Sequence, residues 1–160
     1  MSITSNEIKL YKSTNSNGGA ITDTEVEDGV LSNLFDKVTS DESLAGATEY
    51  RCAYIKNVHA SIVLEEAISY LSANTLSPTT NMFIGVGTSI VGAVEQTVLD
   101  DYTAPIGITW VDGLNVINAI TLGDIPAGSH KAIWFKRVVG ENTSAAPVDG
   151  ITLTTRGSTV

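Results

Sequence analysis

From residue 48 onward, apolar and polar positions along the chain follow the period of a β-strand. In "EYRCAYIK", Tyr50, Cys52 and Tyr54 alternate with Arg51, Ala53 and Ile55, so neighbours point to opposite faces of a sheet. Residues 57–60 make the turn that follows, and Ile62 and Leu64 open the next strand. Here Ala60, Leu64, Ala67, Ile68 and Leu71 also fit a helical stripe. A bulge near Glu65 and Glu66 brings the apolar phases on either side into one strand, which is the reading kept. "NMFIGVG" (81–87) is a further strand. After a segment with no clear pattern up to Asp101, "APIGITWV" (104–111) places Ile106, Ile108 and Trp110 on one face. An apolar strand ending at Leu122 then meets the tight connection "GDIPAGSH", set by Pro126 and Gly128. "KAIWFKRVV" (131–139) leaves it as a strand, and "ITLTTRG" (151–157) closes the series. About seven strands separated by turn signals predict an all-β chain folded as an antiparallel β-sandwich.

Residues 1–45 follow a different pattern and read as an N-terminal arm preceding a sandwich over residues 46–160. "EIKLYKS" (7–13) alternates as a short strand. Gly18 and Gly19 in "TNSNGGAITD" supply the positive φ values of a sharp reversal. In "DGVLSNLFDKV" (28–38), Val30, Leu31, Leu34, Phe35 and Val38 recur at near-helical spacing. That spacing predicts a helix of one or two turns, or an apolar plug lying on the main body. "TSDESLAGAT" reads as a polar, solvated loop.

Composition supports the β reading. The chain of 160 residues is 42% hydrophobic, with only 6% aromatic and 17% charged residues. That is too few charges for the surface of a helical bundle, and enough apolar residues for a core. Eighteen acidic against nine basic side chains give a formal net charge of −9, which opposes binding to a phosphate backbone. No nucleic-acid partner is expected. No apolar run reaches membrane-spanning length, and "MSITSNEIKLYKS" lacks the pattern of a signal peptide, so neither a membrane partner nor export is expected.

Candidate chemistry is sparse. The single cysteine, Cys52, lies mid-strand and reads as a buried structural thiol; His59, seven residues on, is near it only along the chain. His130 falls in the connection before a strand. One cysteine and two scattered histidines match no zinc spacing. The acidic runs "DTEVED" (23–28) and "LDDY", with Asp100 and Asp101, offer oxygen ligands, but the first lacks the central glycine and terminal glutamate of a calcium-binding EF-hand loop. "GVGTSIVGAV" fails the dinucleotide-binding glycine pattern at its third position. Tyr11, Tyr102, Trp110 and Trp134 are candidates for a carbohydrate-binding face, against core packing for both tryptophans. The residues therefore predict no catalytic, cofactor-binding or metal site.

Two resemblances extend this reading. "EYRCAYIKNVHASIVLEEAISYLSAN" and "LGDIPAGSHKAIWFKRVV" resemble the strand–Asn turn–strand opening and the later Pro-Ala-Gly corner of Ig-like modules. More narrowly, "IKLYKSTNSNGGAIT", "NLFDKVTSDESLAGATEYRCAYIKN" and "LGDIPAGSHKAIWFKR" are similar to small structural proteins of tailed bacteriophage virions. That likeness spans residues 8–156, except that residues 88–101 match nothing in it and are where a partner-specific surface is expected. The resemblance implies a non-enzymatic, Ig-like sandwich: a capsid decoration or cement protein on the virion, assembled in the host bacterial cytoplasm. Its implied partners are the major capsid protein and further copies of itself in a homo-oligomer. The alternatives are a tail or baseplate accessory protein, or a carbohydrate-binding or adhesin module, with a hydrolase using loop carboxylates more distant.

Overall fold

Ten antiparallel strands form three sheets in the computed structural model, which describes residues 2–112, 114–146 and 149–159. They are β1 (Ile8–Ser13), β2 (Gly18–Gly19), β3 (Ile21–Glu25), β4 (Ala47–Asn57), β5 (Leu64–Ala73), β6 (Thr80–Val86), β7 (Glu95–Thr97), β8 (Ile120–Ile125), β9 (His130–Val139) and β10 (Thr152–Ser158). The large sheet runs β3-β1-β4-β9-β6, a second sheet runs β10-β5-β8, and β2 pairs with β7 in a small ribbon. The expected all-β sandwich is the observed architecture.

Its main core fills the space between the two larger sheets. Ala53, Ile55, Ile84, Ile133 and Phe135 from the large sheet meet Leu64, Ala67, Leu71, Leu122 and Ile125 from the second. Each isoleucine, leucine or phenylalanine among them contributes about 1.5–3 kcal/mol by leaving water. The opposite face of the large sheet is covered as well. There Cys52, Tyr54, Ala132 and Trp134 pack beneath the β2–β7 ribbon and the loops around Val98, Ile108 and Trp110. β4 and β9 are therefore buried on both faces, which is why both parities of "RCAYI" and "AIWF" are largely apolar. Cys52 lies inside, on the loop-covered side rather than in the sandwich core.

The bulge expected in β5 is present. Glu66 takes φ 49°, the pairing with β8 shifts register between Leu64 and Ala67, and the Glu66 amide donates to Asp124 Oδ1 at 2.9 Å. That one extra residue turns Leu64 and Ala67 to the same core.

Four expectations are corrected. Residues 28–38 form turns instead of a helix, with Gly29 at φ 72° and Ser32 at φ 56° breaking any helical run. Leu34 and Phe35 nonetheless pack on the core, as a plug would. The helix, α1, is Ser40–Ala45, in the segment read as a polar loop. Thr39 caps it by accepting from the Glu42 amide while Glu42 Oε2 accepts from the Thr39 amide, and Gly46 ends it at φ 75°. Residues 104–111 form no strand; Val111 alone makes a bridge, to Ile84, and Gly107 at φ 76° interrupts the extended run. Finally, β1 and β3 do not stand apart from the body as an arm. β1 pairs with β4 from Ile8↔Asn57 to Lys12↔Ala53, inside the chain's own sheet.

A buried ionic cluster anchors the plug. Glu49 and Arg137 face each other across β4 and β9, and Glu49 Oε2 accepts from Arg137 Nε at 2.7 Å and from Nη2. Arg51 Nη2 lies 3.6 Å from Glu49 Oε1 and 2.8 Å from Asp101 Oδ2. The Phe35 ring takes a guanidinium from each arginine, at 5.2 Å from Arg51 and 4.8 Å from Arg137, and Arg137 Nη1 donates to the Asp36 carbonyl. Glu49→Ala leaves Arg137 buried without its counter-ion. It should cost about 3–5 kcal/mol in a urea titration, with faster proteolysis within residues 28–38. Deleting residues 1–22 removes β1 and β2 and bares the edge of β4. The expected outcome is loss of the cooperative thermal transition in calorimetry, since the loss exceeds a marginal stability of about 5 kcal/mol.

Candidate interaction face

The second face of the large sheet is covered by loops instead of a sheet, and these loops are held by side chains with matched polar partners. Gly85 and Gly87 make room for them. A Cβ on Gly85 would lie 2.8 Å from the Thr109 carbonyl oxygen, and one on Gly87 would lie 2.6 Å from Ala132 Cβ. With no side chain at either place, the loops approach the sheet backbone directly.

Tyr54 pins this layer to the sheet. Its hydroxyl donates to the Gly19 carbonyl and accepts from the Glu95 amide at 2.9 Å, joining β4 to both strands of the ribbon. Burial pushes the phenol up to about 12, so the donor proton is retained. Its ring meets His130 edge-on, with centroids 4.9 Å apart.

Glu95 is the polar centre of the loops. It is 3% exposed, and its carboxylate accepts four hydrogen bonds: from the Thr88 amide (3.2 Å) and hydroxyl (2.9 Å), and from the Ser89 amide (2.9 Å) and hydroxyl (2.7 Å). Burial alone would raise its pKa, but the hydrogen bonds outweigh it and bring the group to about 2. Lys131 Nζ donates to the Gly87 carbonyl at 3.1 Å and to that of Ser89, which fixes the same turn from the other side. Next along β7, the Gln96 amide clamps residue 106, accepting from the Ile106 N–H at 2.8 Å and donating to its carbonyl at 2.7 Å. Asp101 ties the far end, where its carbonyl accepts from the Tyr50 amide at 2.7 Å.

This layer displays several large apolar side chains, beside exposed Thr97, Asp100 and Thr109. Ile90 is 79% exposed, Leu99 89% and Ile106 83%, with Val94 also exposed. Isolated exposed side chains are ordinary, but several on one hydrogen-bonded loop layer mark it as the candidate face. Residues 88–101 contribute three of the four.

The residues singled out in the sequence are scattered through the fold. Cys52 is fully buried and its thiol is pushed up to about 12 by that burial. His59 lies beyond the far end of β4, about 16 Å along the strand at roughly 3.3 Å per residue. There its Nδ1 accepts from the amides of Ser61 (3.0 Å) and Ile62 (2.9 Å), a turn-forming role. His130 opens β9, and burial lowers its pKa. Asp100 Oδ1 accepts from the Thr103 hydroxyl at 2.7 Å and the Tyr102 amide at 3.0 Å, closing a turn. Asp101 pairs with Arg51. The run 23–28 spans the end of β3 and an exposed loop. Among the described residues no three His, Cys, Asp or Glu side chains are placed to hold a metal ion. The aromatic candidates have separate settings. Trp134 is core, Trp110 packs on Tyr50 at 5.6 Å, Tyr11 lies under Lys56, and the Tyr102 hydroxyl donates to Glu42. The sequence reading missed Glu95, although one acid flanked by "GTS" and "QT" in a charge-poor segment is the kind of signal that marks a loop anchor.

No family model, curated protein or solved structure matches the chain.

Because the folded pKa of Glu95 lies below its unfolded value of about 4.5, its contribution is full above that value and is lost as the pH falls toward 2. Its size is roughly 3 kcal/mol. Glu95→Gln should therefore lower the urea midpoint strongly at pH 7 and little at pH 2.5. An equal deficit at both pH values would show that the charge is not what holds the loops.

Proposed function

We propose that the protein is a non-enzymatic structural protein of a tailed-phage virion, a decoration or cement protein that binds the head shell through its loop face. The observation that carries the reading is the loop layer over β4, β9 and β6. It is fixed by Glu95, Gln96, Lys131 and Tyr54, yet it turns Ile90, Val94, Leu99 and Ile106 to solvent. A scaffold that invests buried polar groups in holding loops still, and then exposes apolar tips, suits a preorganised docking surface. The particle on which it docks is proposed from the sequence likeness of residues 8–156 to virion structural proteins. Net charge −9 suits a partner surface with basic character and keeps free copies apart before assembly. Many modest contacts on a repeating lattice sum to firm attachment.

Particles reconstituted with purified protein and imaged by cryo-electron microscopy test this. Density on the shell is the expected result; density on the tail would assign the accessory role instead. Leu99→Asp and Ile106→Asp should reduce occupancy about tenfold or more, with thermal midpoints unchanged because both side chains are solvent-exposed. Binding to a glycan array, with no virion containing the protein, would overturn the structural reading in favour of an adhesin.

A further inference from the structure

The sandwich is closed along one long side and open along the other. On the closed side β8 approaches β6 and β9. On the open side the large sheet continues to β1 and β3, while the second sheet stops at β10. The resulting cleft has a volume of about 1720 Å³ and is floored by core side chains, among them Ile8, Leu10, Ile55, Phe135 and Leu153. Residues 25–40 line it as well, and it lies on the side where the second sheet ends at β10.

Two observations say what fits there. The first is main-chain. Residues 152–157 of β10 all line the cleft in succession, those pointing to the core and those pointing away alike. A strand that lines a cleft with both parities presents its edge to it, and β10 has only β5 as a partner. Its unpaired N–H and C=O groups are therefore a template for an added strand. The second is charge. On the rim, Lys9 is neutralised by Glu25 at 2.8 Å and Arg137 by Glu49. Glu27, Asp28 and Asp36 are exposed and in no ion pair among the described residues, against exposed Lys37 beside them and exposed Arg156 on β10, whose guanidinium lies over the Tyr70 ring. The cleft is thus apolar at its floor and acidic at its mouth.

We infer that this cleft is a strand-acceptor site that takes an extended segment of a partner protein in which apolar residues alternate with Lys or Arg. The segment pairs with the free edge of β10, sets its apolar side chains on Ile8, Leu10 and Leu153, and sets its basic ones against Glu27, Asp28 and Asp36. A second copy of this chain is the poorer occupant, because each copy carries a net charge of −9. The site is separate from the loop face on which the functional reading rests, and either can fail without the other.

The test uses the full-length protein and a fluorescent nonapeptide alternating Val and Lys, with an alternating Val and Glu peptide as comparison. The Val/Lys peptide is expected to bind in anisotropy titrations and to slow hydrogen exchange of amides 152–157, with the Val/Glu peptide about tenfold weaker or more. Leu153→Asp should weaken binding about tenfold, and Ile106→Asp should not. Should Leu153→Asp unfold the chain, Glu27→Lys with Asp28→Lys tests the same site from exposed positions, and should reverse the preference between the peptides. Binding with no protection at 152–157, equal affinity for the two peptides, or an unchanged preference in the rim variant would overturn the proposal. So would protection of those amides by self-association in the absence of peptide.

Discussion

Ten consecutive residue pairs join β4 to β9, from Ala47↔Val139 to Lys56↔His130, and both layers of the molecule depend on that ladder. Its register puts Ala53 with Ile133 toward the second sheet, and Cys52 with Trp134 toward the loops. A slip of one residue would exchange the two sets. It would send Arg51 and Glu49 to the loop side and tear Arg137 from its counter-ion. The ionic pair at one end and the His130 pairing at the other therefore hold a register that alternation alone would specify weakly, since both faces of these strands are apolar.

Buried polar groups here act as fasteners at the limits of the core. Asn57, fully buried, donates to the carbonyls of Ile62 (2.8 Å) and Ile125 (2.9 Å) and accepts from the His59 amide. One side chain so ties the end of β4, the turn after it and the end of β8. Glu49 and Arg137 do the same for the plug at the other end, and Glu95 for the loops. Each would be costly if left unpaired, and each has its partners. The exceptions among the described residues are Asn17 Oδ1, the Ser77 hydroxyl and the Trp134 indole N–H, which are buried without a partner.

Much of this fold was legible because strand period and turn chemistry are local. The bulge at Glu66 followed from a conflict of apolar phase in "LEEA", and the corner "GDIPAG" from proline and glycine. The helix at Ser40–Ala45 was also local, written in the Thr39–Glu42 cap, but the apolar spacing of 28–38 drew the assignment away from it. Other features were not local at all. Nothing near "IKLYKS" states that its partner is β4, thirty-odd residues on, and nothing near Leu99 or Ile106 tells an exposed apolar side chain from a buried one. "APIGITWV" has the period of a strand, yet it lies where Gln96 and the sheet face leave it no ladder to join. The candidate face was visible only as a gap in the pattern between residues 88 and 101.

The bare backbone at Gly85 and Gly87 sets a rule for how such a surface can change. Substitutions at the loop tips meet only solvent or a partner, so partner choice can drift quickly there. The two glycines beneath touch no partner, yet a single methyl on either would lift the whole display from its base. Across relatives adapted to different partners, variation should concentrate on the visible apolar tips, while these two hidden positions stay glycine.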